Sequence, residues 1–243
     1  VTGVAEDQAD LPEAALASAK KEQDNLTDDL RRQCRQAYNA SISFMDAQVG
    51  LVVAALDRLG LADNTVIVFT SDHGYHMGEH GLWQKMSLFE ESARVPMLIV
   101  APGLSQPGGV AEAPVSQLDL FPTLAELCGV TPPDNLQGQS LVPMLADPGW
   151  QGRNWALTQV TRRQKGGQYF GYSLRTPRWR YTEWDEGREG RELYDHEADP
   201  QELVNLADAP AHANEVQRLA AELKGAVAAT LPADGVTPSV RSG

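Results

Sequence analysis

The chain has 243 residues, 20 of them basic and 33 acidic, for a formal net charge of −13 at pH 7. That length suffices for one large domain or two small ones around a real hydrophobic core. With no summed positive field, neither nucleic acid nor an anionic membrane surface is expected as a general partner. Cys34 and Cys128 have neither the spacing of a metal site nor the number of a disulfide framework. No run is expected to reach membrane-spanning length, and no charged-then-apolar leader follows Val1.

In chain order, residues 1–26 are rich in Ala, Glu and Asp without apolar periodicity, and read as a surface connector, partly helical. Thr27 followed by Asp28 and Asp29 marks a helix start, with a capping oxygen and acidic residues at the positive end of the dipole. Cys34, Tyr38, Ile42, Met45, Val49, Val52, Leu56 and Leu59 then recur at three- and four-residue steps. They form one apolar stripe expected to lie on a sheet, with Gly60 as C-cap. Residues 65–70, TVIVFT, are β-branched and apolar but too short for an ordinary helix, and read as a buried parallel strand. Helix then strand suggests half of a right-handed βαβ unit.

Polar chemistry begins where this strand ends. Asp72 and His73 stand side by side, Gly74 frees the backbone, and His76, Glu79, His80 and Lys85 follow within one loop. Open α/β sheets bind ligands outside the carboxyl ends of their strands, so Asp72 and His73 are expected to be site residues. A carboxylate, an imidazole and an ammonium together suit metal ligation and acid–base work.

A short helix is expected over 86–93, a second apolar strand over 95–101, a surface loop over 106–109 and a helix over 116–128, with Pro122 tolerated near its first turn. Proline and glycine gather in 132–149 around a short helix at 141–145, the expected division between two parts. Beyond it, 155–160, 169–174, 179–184 and 191–194 alternate as in an antiparallel sheet, and 211–231 is an amphipathic helix able to cover one face. The aromatic strand 179–184 reads as core rather than as a platform for sugars. The expected organisation is a connector (1–26), an α/β core part (27–147), a small antiparallel sheet with a terminal helix (148–234) and a tail (235–243).

The segment SDHGYHMGEHGLWQK at 71–85, with VPMLIVAPG at 95–103, closely resembles the metal-binding loop and next strand of the type I sulfatases of the alkaline phosphatase superfamily. It is most similar to the iduronate-2-sulfatase branch. QLDLFPTL at 117–124, GYSLRT at 171–176, ELYD at 192–195, Asp199-Pro200 and ELVN at 202–205 match in register. The resemblance covers only the C-terminal portion of such an enzyme. It implies part of an alkaline-phosphatase-like parallel-sheet core followed by a small antiparallel α+β subdomain.

The resemblance also implies a sulfuric ester hydrolase acting on a sulfated carbohydrate such as an iduronate 2-sulfate-type substrate. Asp72 and His73 take metal positions, for Ca2+ or alternatively Mg2+, and Lys85 takes the position of the catalytic lysine that contacts the sulfate. Tyr75 and His76 are candidates to face the substrate, and Glu79 and His80 to hold the loop in shape. In these enzymes the nucleophile is a formylglycine made from the cysteine of a Cys-x-Pro-Ser-Arg motif. Neither Cys34 nor Cys128 lies in that motif. Formylglycine is therefore expected in an N-terminal half that would be this chain's partner, and the chain alone is expected to be inactive. The family setting implies a periplasmic, secreted or lysosome-like compartment. Two alternatives stand beside this reading: a phosphomonoester or phosphonate hydrolase of the same superfamily, and a noncatalytic module retaining the fold.

Overall fold

A computed structural model describes residues 4–23, 25–164 and 167–230. The expected tail at 235–243 lies outside these residues. Two short helices, α1 (Val4–Asp7) and α2 (Glu13–Leu16), precede the long α3 (Asp28–Arg58). This helix begins as its sequence dictates, with the Leu30 amide donating to Thr27 Oγ1 at 3.3 Å, and Gly60 follows it at a φ of 66°.

No residue of α3 is buried, however; Phe44, Leu51 and Val52 are 70, 66 and 65% exposed. The stripe expected to rest on a sheet has no such cover among the described residues. The expectation of no membrane-length run also needs correction. By length and composition α3 is long and apolar enough to cross a membrane, because Asp46 is the one charged residue between Arg35 and Asp57. Its apolar residues nonetheless recur at helical steps between Asn39, Asp46 and Gln48, the pattern of a helix that buries one face.

The α/β class is borne out, but the first two strands are not the parallel pair expected. β1 (Ile67–Thr70) and β2 (Met97–Val100) run antiparallel, with Ile67 opposite Val100 and Thr70 opposite Met97. The reason lies in the connection. Residues 71–96 contain only a 3-10 turn (Glu79–Gly81) and α4 (Glu90–Ala93), so no crossover helix carries the chain to the far end of the sheet. The whole connection closes on itself at the carboxyl end of β1, with the Gly74 amide donating to the Ser92 carbonyl at 2.9 Å.

After β2 come α5 (Leu120–Leu127) and α6 (Val142–Ala146). The strands β3 (Ala156–Gln164), β4 (Gly167–Arg175), β5 (Trp179–Trp184) and β6 (Arg191–Asp195) then form an antiparallel meander in chain order, followed by α7 (Ala213–Ala229). On one sheet face α7 packs Leu219, Leu223 and Ala226 against Leu174, Tyr181 and Leu193. On the other, Tyr169, Trp184 and Tyr194 meet Leu82, Leu88 and Phe89 of the 71–96 connection together with Ala14 and Ala15 of α2. Trp184 is thus core, as its alternation suggests. The described part of residues 1–26 is more than a surface connector: small alanine side chains let α2 approach the aromatic face closely enough to bury Ala14 and Ala15.

A buried ionic knot joins α4 to the sheet. Arg180, 2% exposed, pairs with both Glu90 and Glu202, and Glu202 also meets His196 Nε2 at 2.8 Å. Across the expected division at 147/148, Arg153 pairs with the buried Asp119 at 2.7 Å.

Candidate active site

β1 ends at Thr70, and the Ser71 hydroxyl donates to the His73 carbonyl at 2.9 Å, curling the backbone at once. The Gln117 side chain donates to the carbonyls of Ser71 and Asp72 and holds the curl from outside. Gly74 is required by space: a Cβ there would lie 1.9 Å from the Glu91 carbonyl oxygen. The backbone can therefore approach α4 only without a side chain.

The curl presents Asp72 and His73 outward. The His73 ring makes two contacts that define its chemistry. Nδ1 lies 2.8 Å from the Gly74 carbonyl, which can only accept, so the proton sits on Nδ1 and Nε2 carries the lone pair. Lys85 Nζ approaches that lone pair at 2.7 Å, and Asp72 Oδ2 lies 3.5 Å from the same nitrogen. Asp72 Oδ1 accepts the His73 amide at 3.1 Å. The three residues singled out in the sequence thus meet at one exposed point.

The other expected site residues divide. Tyr75 is part-exposed beside this point, with its hydroxyl donating to the Trp83 carbonyl at 3.1 Å. His76 does not face outward as expected. It is fully buried, its Nε2 lies 2.7 Å from Ser87 Oγ, and its ring sits edge-on to Phe89. The cause is the inward turn after Gly74, fixed by the His76 amide donating to the Gln84 carbonyl at 2.9 Å. Burial lowers the His76 imidazole below its ordinary value.

Glu79 caps the turn by accepting the Met77 amide. His80, at φ 53°, is buried and stacked on Phe89 with ring centroids 3.9 Å apart. Its Nδ1 lies 3.2 Å from both oxygens of Asp7, and its Nε2 faces Glu91 at 3.6 Å, too long for a hydrogen bond but close enough for charge attraction. Burial alone would lower His80; the two carboxylates overcome it and raise the group from 6.5 to about 10. Glu79 and His80 therefore shape the loop. Sequence reasoning missed Gln117 and Asp7. Gln117 sits in the matched QLDLFPTL run, and the pairing of Asp7 with His80 spans 73 positions, for which no local periodicity gives a signal.

Comparison with known proteins decides the family. A model described as Sulfatase matches residues 8–130, and one described as N-sulphoglucosamine sulphohydrolase, C-terminal, matches residues 78–229. This chain belongs to the sulfatase family. The sulfatase chain is 38% identical over 189 residues to a choline-sulfatase of Rhizobium meliloti, an alignment covering 76% of this chain and 35% of that protein. It is 32% identical over 222 residues to the iduronate 2-sulfatase of Mus musculus, covering 65% and 39%. Among solved structures it is similar to a 2-O GAG sulfatase (27% identity, TM-score 0.78, 89% of this chain and 48% of that one). It is also similar to the phosphonate monoester hydrolase of Agrobacterium radiobacter (31%, 0.73, 84% and 43%). The sulfatase chain thus spans between a third and two fifths of the length of the choline-sulfatase and the iduronate 2-sulfatase.

Proposed function

We propose that this chain supplies the sulfate-recognising and half the metal-binding side of a sulfuric ester hydrolase acting on a sulfated sugar, such as an iduronate 2-sulfate-type substrate. The observation that carries the reading is the convergence of Asp72, His73 and Lys85 at the carboxyl end of β1. The donor set fits a hard divalent cation in part. Asp72 offers a solvent-facing carboxylate, and His73 offers an Nε2 lone pair whose direction is fixed by the Nδ1 proton on Gly74, as in ligating histidines. The Lys85 ammonium already lies against that lone pair. Carboxylate oxygen favours Ca2+ or Mg2+, while the imidazole is tolerated rather than preferred.

Asp72 and His73 would hold the cation, which when bound neutralises sulfate oxygens. Lys85 is the chain's own electrostatic contribution: a compact ammonium donating to a sulfate oxygen stabilises charge as the S–O bond to the leaving alcohol breaks. Tyr75, part-exposed with its hydroxyl on the Trp83 carbonyl, would touch the substrate. Formylglycine, the family's nucleophile, would come from a segment outside this chain, since Cys34 lies in α3 and Cys128 follows α5, neither in a Cys-x-Pro-Ser-Arg motif.

The experiment is a comparison in the complete gene product, assayed on sulfated uronates, an aryl sulfate and a phosphonate monoester. Lys85→Ala should lower kcat/KM for the sulfate ester by about 10²–10³-fold. Turnover confined to the phosphonate would replace this reading with the phosphonate hydrolase suggested by the Agrobacterium radiobacter neighbour. The chain alone should show no turnover and no tight stoichiometric Ca2+ binding by calorimetry, because it provides two ligands where calcium takes six or more.

A further inference from the structure

Lys85 has a flexible stem, yet the loop leading to it is tied from outside at Met77, His80, Trp83 and Gln84. These ties come from two remote segments. The first is the N-terminal stretch 4–23: Asp7 holds the His80 ring at 3.2 Å and Gln8 Nε2 donates to the His80 carbonyl at 2.7 Å. From the same stretch Ser18 Oγ accepts from Gln84 Nε2 at 2.8 Å, and Gln23 Nε2 donates to the Trp83 carbonyl at 2.6 Å. The second is the start of α3, where Arg35 donates twice to the Met77 carbonyl and lies over the Trp83 ring.

These contacts are side chain to loop, not packing alone. The Trp83 carbonyl is held from two sides, by Gln23 and by Tyr75. Gln84, immediately before Lys85, also accepts the Met86 amide on its side-chain oxygen. Two backbone bonds, the His76 amide to Gln84 and the Gly78 amide to Leu82, draw the two arms of the loop together, and the stretch 4–23 closes over its turn. At the centre the His80 imidazolium lies between the carboxylates of Asp7 and Glu91, so the strap is fastened by an ion triad of one cation and two anions.

We infer that the segment 4–23 is the positioning element for Lys85, setting where its ammonium meets the sulfate. Asp7 and Gln23 are its positioning residues, acting through His80 and through the Trp83 carbonyl. This rests on the role proposed above for Lys85. A displacement of about 1 Å in such a group can lower turnover by as much as ~10²-fold, which makes the fastening measurable.

The test uses the complete gene product carrying Asp7→Asn, Asp7→Glu or Gln23→Ala, with Lys85→Ala as reference. Two quantities are read: kcat and KM for the sulfate ester, and amide hydrogen exchange of residues 82–87 against that of β4 to β6. Asp7→Asn and Gln23→Ala should each lower kcat/KM by about 10-fold or more and accelerate exchange in 82–87 while β4 to β6 stay protected. Asp7→Glu should restore most of the loss, since it keeps the carboxylate. Gln23→Ala deletes a single part-exposed hydrogen bond and serves where Asp7→Asn fails to fold.

Unchanged turnover and unchanged exchange in a folded variant would overturn the inference, as would loosening of β4 to β6 in step with 82–87, which is the mark of a purely structural role. If Lys85→Ala itself leaves turnover intact, the sulfate reading has failed. The exchange measurement then still reports whether the strap holds the loop.

Discussion

The sheet β3 to β6 and the pair β1–β2 with α3 both carry apolar faces, yet they end differently. The four-stranded sheet is covered on both faces, by α7 on one and by the site loop with α2 on the other, and Leu174, Tyr181, Leu193 and Leu219 are fully buried. In the other region Leu98, Val100 and the stripe of α3 lie open among the described residues. Pattern states what an element is prepared to bury; only the rest of the fold decides whether it does. The chain covers 35% of its choline-sulfatase relative, and α3 carries an apolar face that the described residues leave open.

The sharpest test of this contrast is the ionic knot of the closed region. Glu202→Gln leaves Arg180 buried with one carboxylate fewer and should cost about 3–5 kcal/mol in urea unfolding. Leu223→Ala, beneath α7, should cost about 2–5 kcal/mol through lost transfer energy and a cavity. Ile42→Ala on α3 should shift the stability of this chain by no more than about 0.5 kcal/mol. The same change should cost about 2–5 kcal/mol in the complete gene product if the stripe is covered there. Equal effects in the two proteins would remove the distinction between the regions.

Within the closed region and the loop packed on it, titration acts in both directions. Burial would raise Glu202, but Arg180 and His196 hold it at about 2, below the ordinary 4.5. Its stabilisation is therefore complete above pH 4.5 and is lost as pH falls towards 2. Glu192 behaves oppositely. Burial pushes it to about 7 in spite of hydrogen bonds from Trp184 and Tyr194, so the fold loses stability as pH rises from 4.5 to 7, and Glu192→Gln should flatten that slope. His80, raised to about 10, stabilises fully below pH 6.5, and its contribution disappears as pH rises through 10. Exchange in 78–85 should accordingly quicken at alkaline pH before the sheet responds.

Much of this was legible from residue patterns. Thr27 with its two aspartates marked the start of α3, alternation and turn residues gave all four strands of the meander, and the amphipathic pattern over 211–231 gave α7, whose Leu219 and Leu223 are buried. Asp72, His73 and Lys85 stood out as part of a dense polar set in one loop, and the resemblance to the sulfatases supplied the roles expected of them. The rest depends on contacts between distant segments. The antiparallel turn from β1 to β2 follows from a connection too irregular for a crossover, and the inward turn of His76 follows from Gly74 lying against Glu91. Neither fact has a periodicity, and the same holds for Asp7 reaching His80.

The two-stranded sheet carries a practical consequence for handling the protein. Each of its strands pairs on one side only among the described residues, and β2 reads Met-Leu-Ile-Val with neither charge nor proline to interrupt it. Such an edge is a template for another copy of itself, since its unpaired amides and carbonyls can extend into an intermolecular ladder. Production of the isolated chain should therefore be limited by aggregation seeded at this edge. A lysine in place of the exposed Leu98 would be the smallest change to improve its solubility.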